Sequence, residues 1–435
     1  MVPVDPAMRR RVVISSTLGN ALEWFDFTVF GLFAGVIGKL FFPSDDPANS
    51  LLYIFATFGI AFAARPIGGI VFGIYADKWG RKSALVIMIL AMAVGTGIIG
   101  ILPTYASIGI AAPLMILVAR LIQGFSAGGE FGSASAMLIE FAPPGRRGFY
   151  GSWQAVSQAL ATVLGALFAT VLSKTLSPEA FATWGWRVPF LLGVLIGPVG
   201  VYLRQKCDES PDFKAFVAAR KANVVARDTP LRDVLRDHRR ELVVGFCVVA
   251  TGTSINYVGS TFLPAFASTD LHLDLADAQI GLLCVGLGNA LIAPLTGALS
   301  DRIGRRALMI PGIVLYAVLS TIMFTRLVGE PTRAHLWQLQ ACGLMLSVLF
   351  GPTPAFLTEI FPIGMRSTGA SLVYNFAVML FGGLAPFTNQ WLIQMTGQKI
   401  APVYYIGFAC VVGIVGLLLY RPRAEDMPAA TAAAR

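Results

Sequence analysis

Apolar runs long enough to cross a bilayer as helices of roughly 20 residues alternate with short polar breaks along nearly the whole chain. Placed by Pro, Gly and charge, they cover 12–40, 51–75, 83–102, 112–140, 150–172 and 186–203, then 241–266, 277–299, 307–327, 337–360, 367–392 and 403–420. The pattern predicts an all-α membrane protein of about 12 transmembrane helices in two six-helix sets. The expected units are an N-terminal bundle over 1–203, a linker over 204–240, a C-terminal bundle over 241–422 and a short tail over 423–435. In the linker, Ser210-Pro211-Asp212 and Thr229-Pro230 each set a capping residue before a proline at the first helical position. Phe213, Phe216 and Val217, then Leu231, Val234 and Leu235, follow at helical spacing, which predicts short amphipathic helices along the inner membrane surface.

Composition agrees. The chain is 56% hydrophobic and 13% charged, against about 25% charged in soluble domains, and its mean hydropathy is +0.70. The net charge of +9 sits in short basic clusters between apolar runs, the distribution of a membrane topology signal and not of a nucleic-acid-binding face. With the N-terminus inside, 25 of the 33 Lys and Arg fall on the cytoplasmic side. Lys39, Lys174, Arg326, Arg333 and Lys399 fall outside, and Arg65, Arg120 and Arg187 lie within or beside spans. Both termini and the 204–240 loop are therefore expected in the cytoplasm of a bacterial inner (plasma) membrane, with the lipid bilayer as solvent, the chain acting as a monomer. Arg9-Arg10-Arg11 and the apolar stretch behind it have the outline of a signal peptide. Glu23 and Asp26 interrupt that stretch and no small-residue cleavage site follows, so a retained first helix is expected.

The five cysteines show no metal-ligand or paired spacing, so no metal, disulfide or cofactor is expected. His238, His272 and His335 lie outside the apolar runs, which leaves carboxylates to carry any proton within the membrane.

Two segments recur. Residues 73–82 read GIYADKWGRK and residues 297–306, 224 positions on, read GALSDRIGRR. Glu140-Phe-Ala-Pro-Pro-Gly-Arg-Arg147 closes the fourth span, and Glu359-Ile-Phe-Pro-Ile-Gly-Met-Arg366 closes the tenth. Matched signals in the same order predict two repeated halves with a site between them near the midplane, as in transporters.

The repeated G-x-x-x-D-[RK]-x-G-R-[RK] resembles the signature loop of the major facilitator superfamily. Gly19-Asn20-Ala-Leu-Glu23-Trp24-Phe25-Asp26-Phe27 resembles that superfamily's metabolite:proton symporter family. So do Arg65-Pro66-Ile-Gly68-Gly69, Arg120-Leu-Ile-Gln123-Gly124 through Gly128-Gly129-Glu130, and Gly185-Trp186-Arg187-Val-Pro189-Phe190. The resemblance implies the major facilitator fold and symport of a small carboxylate or zwitterion with protons. It also implies that the signature loops latch the cytoplasmic face.

A charge at the bilayer centre costs at least ~2.5 kcal/mol, so each one marks a candidate site. Glu23, Arg65 and Glu130 each lie roughly 15 Å in from the cytoplasmic ends of helices 1, 2 and 4; Asp26 is one turn further out, and Arg120 further still. Removal from water favours the neutral form of a carboxylate and a nearby guanidinium favours the charged form. Carboxylates balanced between the two suit proton coupling, which is expected at Glu23, Asp26 and Glu130 with Arg120 as switching partner. A static buried ion-pair network is the alternative. The second half offers neutral polar groups instead. The expected substrate contacts are Arg65, Arg120, Asn20, Gln154 and Gln158 from the first half and Asn256, Tyr257, Asn289, Tyr374 and Asn375 from the second. Interhelical bonding is the other reading of the second group. Asp77, Arg81, Glu140, Asp301, Arg305 and Glu359 are expected to form salt bridges that latch the cytoplasmic face; charge that only fixes topology is the alternative. Arg187, between Trp184 and Trp186, suits an interfacial belt or a substrate contact equally.

These readings favour proton-coupled uptake of a small organic anion, a di- or tricarboxylate or keto acid such as citrate or α-ketoglutarate. Uptake of a betaine- or proline-like osmolyte is the close rival. It is disfavoured because osmosensing members of the resembled family carry a C-terminal coiled coil, whereas the Ala-rich tail after Tyr420 has no heptads. Helix 5 lacks the Gly-Pro-rich pattern of drug antiporters, and the spans hold no catalytic constellation, so no enzyme is expected. A transport-dead sensor with the same fold stays open.

Overall fold

The computed structural model describes residues 6–44, 47–205, 218 and 230–420. The expected linker helix around Ser210–Val217 and the 423–435 tail lie outside these residues. Among the described residues the regular structure is entirely helical. The first six principal helices are α1 (Pro6–Leu32), α2 (Pro47–Trp79), α3 (Arg81–Ile101), α4 (Ala111–Glu140), α5 (Arg147–Leu172) and α6 (Val188–Gln205). The last six are α7 (Arg239–Phe262), α8 (Leu275–Ile303), α9 (Arg305–Gly329), α10 (Arg333–Glu359), α11 (Ile363–Thr396) and α12 (Pro402–Leu419). Ten described helices are long and apolar enough to cross a membrane. In α1, whose 27 residues reach about 40 Å, Arg9, Arg10, Arg11, Glu23 and Asp26 dilute the apolar character.

The repeat is visible in the backbone. Gly80 and Gly304, at matching places in the two signature loops, take the same unusual conformation, φ 112° and ψ 148° against φ 91° and ψ 148°. A β-carbon disfavours that region, so each loop turns on its glycine. Small residues also set the packing of α2 on α4. A β-carbon on Gly124 or Gly128 would run into the backbone carbonyls of Ala61 and Arg65. The two helices therefore touch backbone to backbone, and the Arg65 side chain of α2 reaches α1 and α11.

The structure departs locally from the expected spans at three places. α1 ends at Leu32 and a separate helix, Ala34–Phe41, completes the first span. α7 and α11 each contain a wider π-type turn, over Val258–Phe262 and Val378–Gly383. Pro264 and Pro386 follow these turns and supply no amide to the carbonyls four residues back, so the ladder loosens there. The second turn packs on α7 just before the first, with Gly382 against Thr253 and Tyr257. A helix does form over Pro230–Asp237, and its Val234 is fully buried against the bundle.

Candidate functional site

Arg65 is the centre of the buried polar groups. Helix α2 carries it, fully buried, to mid-depth, where its Nη2 donates to Glu23 Oε1 of α1 at 2.6 Å. Its Nε donates to Asn375 Oδ1 of α11 at 3.3 Å, so one guanidinium bridges the two sets of helices. The Asn375 amide in turn donates to the carbonyls of Gly128 and Ser371. Four aromatic rings wall the guanidinium: Trp24 at 5.8 Å, Phe27 at 5.4 Å, Phe62 at 5.6 Å and Tyr374 at 5.9 Å from its carbon. Such faces attract a cation and exclude water from it. Phe62 meets Tyr257 edge-on at 5.9 Å, and Phe131 stacks flat on Tyr374 at 3.7 Å. Each contact joins the first six helices to the last six.

A second ion pair lies apart from the first. Arg120 Nη1 meets Asp26 Oδ2 at 3.0 Å, both groups buried. The Arg120 guanidinium lies 3.3 Å from the centre of the Phe30 ring and 5.6 Å from that of Phe27. Its described contacts are thus with α1, and it does not reach the boundary between the two sets of helices, where it was expected to touch substrate. Behind it, Gln123 donates to Thr96 at 2.9 Å. Asp26, Thr96 and the buried Glu130 line a cavity of about 20 Å³ between α1, α3, α4 and α6, room for about one water molecule.

The remaining expected residues divide into two groups. Gln154, Gln158 and Tyr374 line a cavity of about 10 Å³ between α4, α5, α7, α10 and α11, together with Phe131, Thr353 and Phe350. Gln154 also exchanges a hydrogen bond with Asn20 at 3.3 Å, and the Asn20 amide donates to Ser157. Tyr257 is buried beside Phe62, and Asn256 next to it is half-buried. Asn289 is elsewhere: its amide donates to Gly343 carbonyl at 3.3 Å and its Oδ1 accepts from Ser347 at 2.6 Å, both on α10. It joins two helices, and the structure does not bring it to Arg65. Arg187 donates to the Gly100 and Leu102 carbonyls at 3.1 and 2.7 Å and so finishes the outer end of α3.

At the signature-loop ends of the helices, each signature aspartate crosses to the opposite set and caps a helix there. Asp77 accepts from the Ser367 and Thr368 amides at 3.3 and 2.8 Å and from the Thr368 hydroxyl at 2.7 Å, at the start of the Arg366–Ala377 segment of α11. Asp301 accepts from the Gly148 and Phe149 amides at 2.7 and 3.0 Å, at the start of α5. Negative charge at a helix N-terminus is favourable on both counts, free amides and helix dipole. The expected salt bridges exist but mostly stay within one set. Arg81 meets Asp77 at 3.4 Å and Glu140 at 3.1 Å, and Arg305 meets Asp301 at 2.8 Å and Glu359 at 2.9 Å. The crossings that accompany the caps are Arg81 to the Ile363 carbonyl at 2.8 Å and Arg366 to Glu140 at 3.6 Å. Sequence reasoning missed Arg366, Thr368 and Gly148. The matched Arg147 and Arg366 that close the two echoed segments were the signal for the first, whereas backbone amides carry no residue signature. With these bonds made, the two sets of helices are tied together at the signature-loop end.

Residues 12–244 match the family model for "Sugar (and other) transporter", and residues 242–435 match that for the Major Facilitator Superfamily. The citrate-proton symporter of Klebsiella pneumoniae is 39% identical over 99% of this chain and 96% of its own length. The glycine betaine/proline/ectoine/pipecolic acid transporter OusA of Dickeya dadantii (strain 3937) is 32% identical over 99% of this chain and 87% of its own. Among solved structures, the proton:xylose symporter XylE bound to 6-bromo-6-deoxy-D-glucose superposes with a TM-score of 0.79 at 18% identity, covering 99% of each chain. That likeness establishes the fold. The chain belongs to the major facilitator superfamily, among its metabolite:proton symporters.

Proposed function

We propose that this member of the major facilitator superfamily takes up a small organic anion together with protons, by alternating access at Arg65. The observation that carries the reading is the Arg65 guanidinium, buried between the two sets of helices and balanced by Glu23. The 39% identity to a citrate-proton symporter supports it. In the substrate-free carrier Glu23 neutralises Arg65. An entering carboxylate competes for the same guanidinium, and the displaced Glu23, left in a water-poor site, takes up a proton from the side that is open. Arginine keeps its own proton throughout, so substrate and proton load together. The Asp26–Arg120 pair and Glu130, lying behind in the first six helices, form a second group of proton-accepting acids. The cytoplasmic caps hold the inner side shut while substrate enters from outside. Residues 1–203 and 241–422 are then the two moving bodies, in an inner membrane with both termini cytoplasmic. The chain works as a monomer without a cofactor.

The rival reading, a zwitterionic osmolyte such as betaine, rests on the four aromatic rings around Arg65 and on the 32% identity to OusA. An ammonium group against aromatic faces is favourable. The test is uptake by proteoliposomes under an inward proton gradient, with labelled citrate, 2-oxoglutarate, succinate and glycine betaine side by side. Accumulation of an organic acid that collapses with a protonophore is the expected result. Accumulation of betaine alone overturns the anion reading, and accumulation of none under any gradient favours a sensor.

A further inference from the structure

The sequence places two arginines in the membrane interior, and two cations suggest a grip on two carboxylates. The structure separates them. Arg65 touches Glu23 on one side and Asn375 of α11 on the other, at the boundary that alternating access opens and closes. Arg120 is sealed against Asp26, Phe27 and Phe30 of α1. Among the described residues, the other cations seen to contact the opposite set of helices, Arg81, Arg305 and Arg366, are at the cytoplasmic closure. The titratable groups facing Arg65 are Glu23 from α1 with Tyr257 from α7 and Tyr374 from α11. None of these adds positive charge. The neighbouring cavity is lined by amides, hydroxyls and rings: Gln154, Gln158, Thr353, Tyr374, Phe131 and Phe350.

We infer that the central site binds substrate through a single carboxylate, so that a di- or tricarboxylate is carried as its monoanion. Every further carboxyl group enters carrying its own proton. This rests on the organic-anion reading above and specifies the ionic form. The charge argument is direct. One carboxylate at Arg65 replaces Glu23, which becomes neutral, and the net charge of the site is unchanged. Among the described residues a second carboxylate has no fixed cation to meet at this boundary, and a charge left unpaired in a water-poor interior costs several kcal/mol. As a neutral carboxyl group it offers one donor and two acceptors, which suit Gln154, Gln158 and the Tyr374 hydroxyl.

Matched pairs of ligands test this without altering the protein. Succinate, 2-oxoglutarate and citrate are compared with the esters that leave each with one ionisable carboxyl group. Binding to the purified full-length carrier is followed by calorimetry at several pH values, and the ratio of ester to acid affinity cancels any titration of the protein itself. Above the higher carboxyl pKa values of the acid, the ester is expected to bind at least as tightly, and a diacid should lose about tenfold relative to its ester for each further pH unit. If the fully ionised acid stays tenfold tighter than its ester at high pH, the single-carboxylate inference is overturned while the anion reading stands. Binding of none of the acids or esters, in protein that binds betaine, overturns both.

Discussion

Replacing Asp77 with Asn tests the proposed cytoplasmic closure. The carboxylate receives two amides and one hydroxyl from the start of the α11 segment, at 2.7–3.3 Å, and is 2% exposed. Hydrogen bonds to a charged acceptor contribute about 1.5–3 kcal/mol each and neutral ones about 0.5–1.5. Asparagine keeps one acceptor oxygen and the shape but loses the charge and its interaction with the helix N-terminus. Allowing for relaxation, the closed state should lose about 2 kcal/mol, which is roughly a 30-fold shift towards the inward-open state at ~1.4 kcal/mol per factor of ten. The effect is read by a cysteine at position 155 in a background lacking the native cysteines, since Ala155 lines the cavity between the two sets of helices. Alkylation from the cytoplasmic side should speed up by about that factor, turnover should slow, and substrate affinity should stay within a few-fold. Unchanged alkylation and turnover in folded Asp77→Asn protein refutes the closure argument, as does complete loss of equilibrium binding.

Three further outcomes follow from the geometry. Asp26→Asn leaves Arg120 buried without its counter-ion, at a cost of about 3–5 kcal/mol; the thermal midpoint should fall, and adding Arg120→Gln should restore most of it. An unchanged midpoint for Asp26→Asn speaks against a buried pair. A β-carbon on Gly297 would meet the Gly148 backbone between the two sets of helices, so Gly297→Val should give the same faster alkylation at position 155 as Asp77→Asn, and a slower rate sinks this. A cysteine near Pro103 should react with an impermeant thiol reagent from outside and one near Arg227 should not, and the reverse pattern overturns the orientation.

The helical architecture was legible because membrane spans announce themselves by length, and the repeat because each signature loop needs its glycine and its acid. Two things were hidden. Pairing of buried charges depends on the rotation of each helix about its axis. Here the backbone contact of α4 with α2 through Gly124 and Gly128 sets that rotation, bringing Arg65 to Glu23 and leaving Arg120 with Asp26. Sequence depth alone grouped all five charges as one cluster. The closure was hidden in part because its acceptors meet backbone amides: Asp77 and Asp301 were recognisable, Ser367 and Phe149 were not. Asn289 shows the limit of residue type as a guide. As a neutral polar group within a span it was expected to touch substrate, whereas the structure ties it to Gly343 and Ser347.

The central claim is that substrate and Glu23 exchange places at Arg65, and Glu23→Gln in proteoliposomes tests it most directly. Glutamine keeps the size and an acceptor oxygen for Arg65 but cannot carry the coupled proton. Labelled substrate should still exchange with unlabelled substrate across the membrane, since exchange needs the site and the alternation but no net proton movement. Uphill accumulation driven by an inward proton gradient should disappear. If Glu23→Gln accumulates substrate uphill with the pH dependence of the unmodified carrier, the proton is carried elsewhere and the account is contradicted.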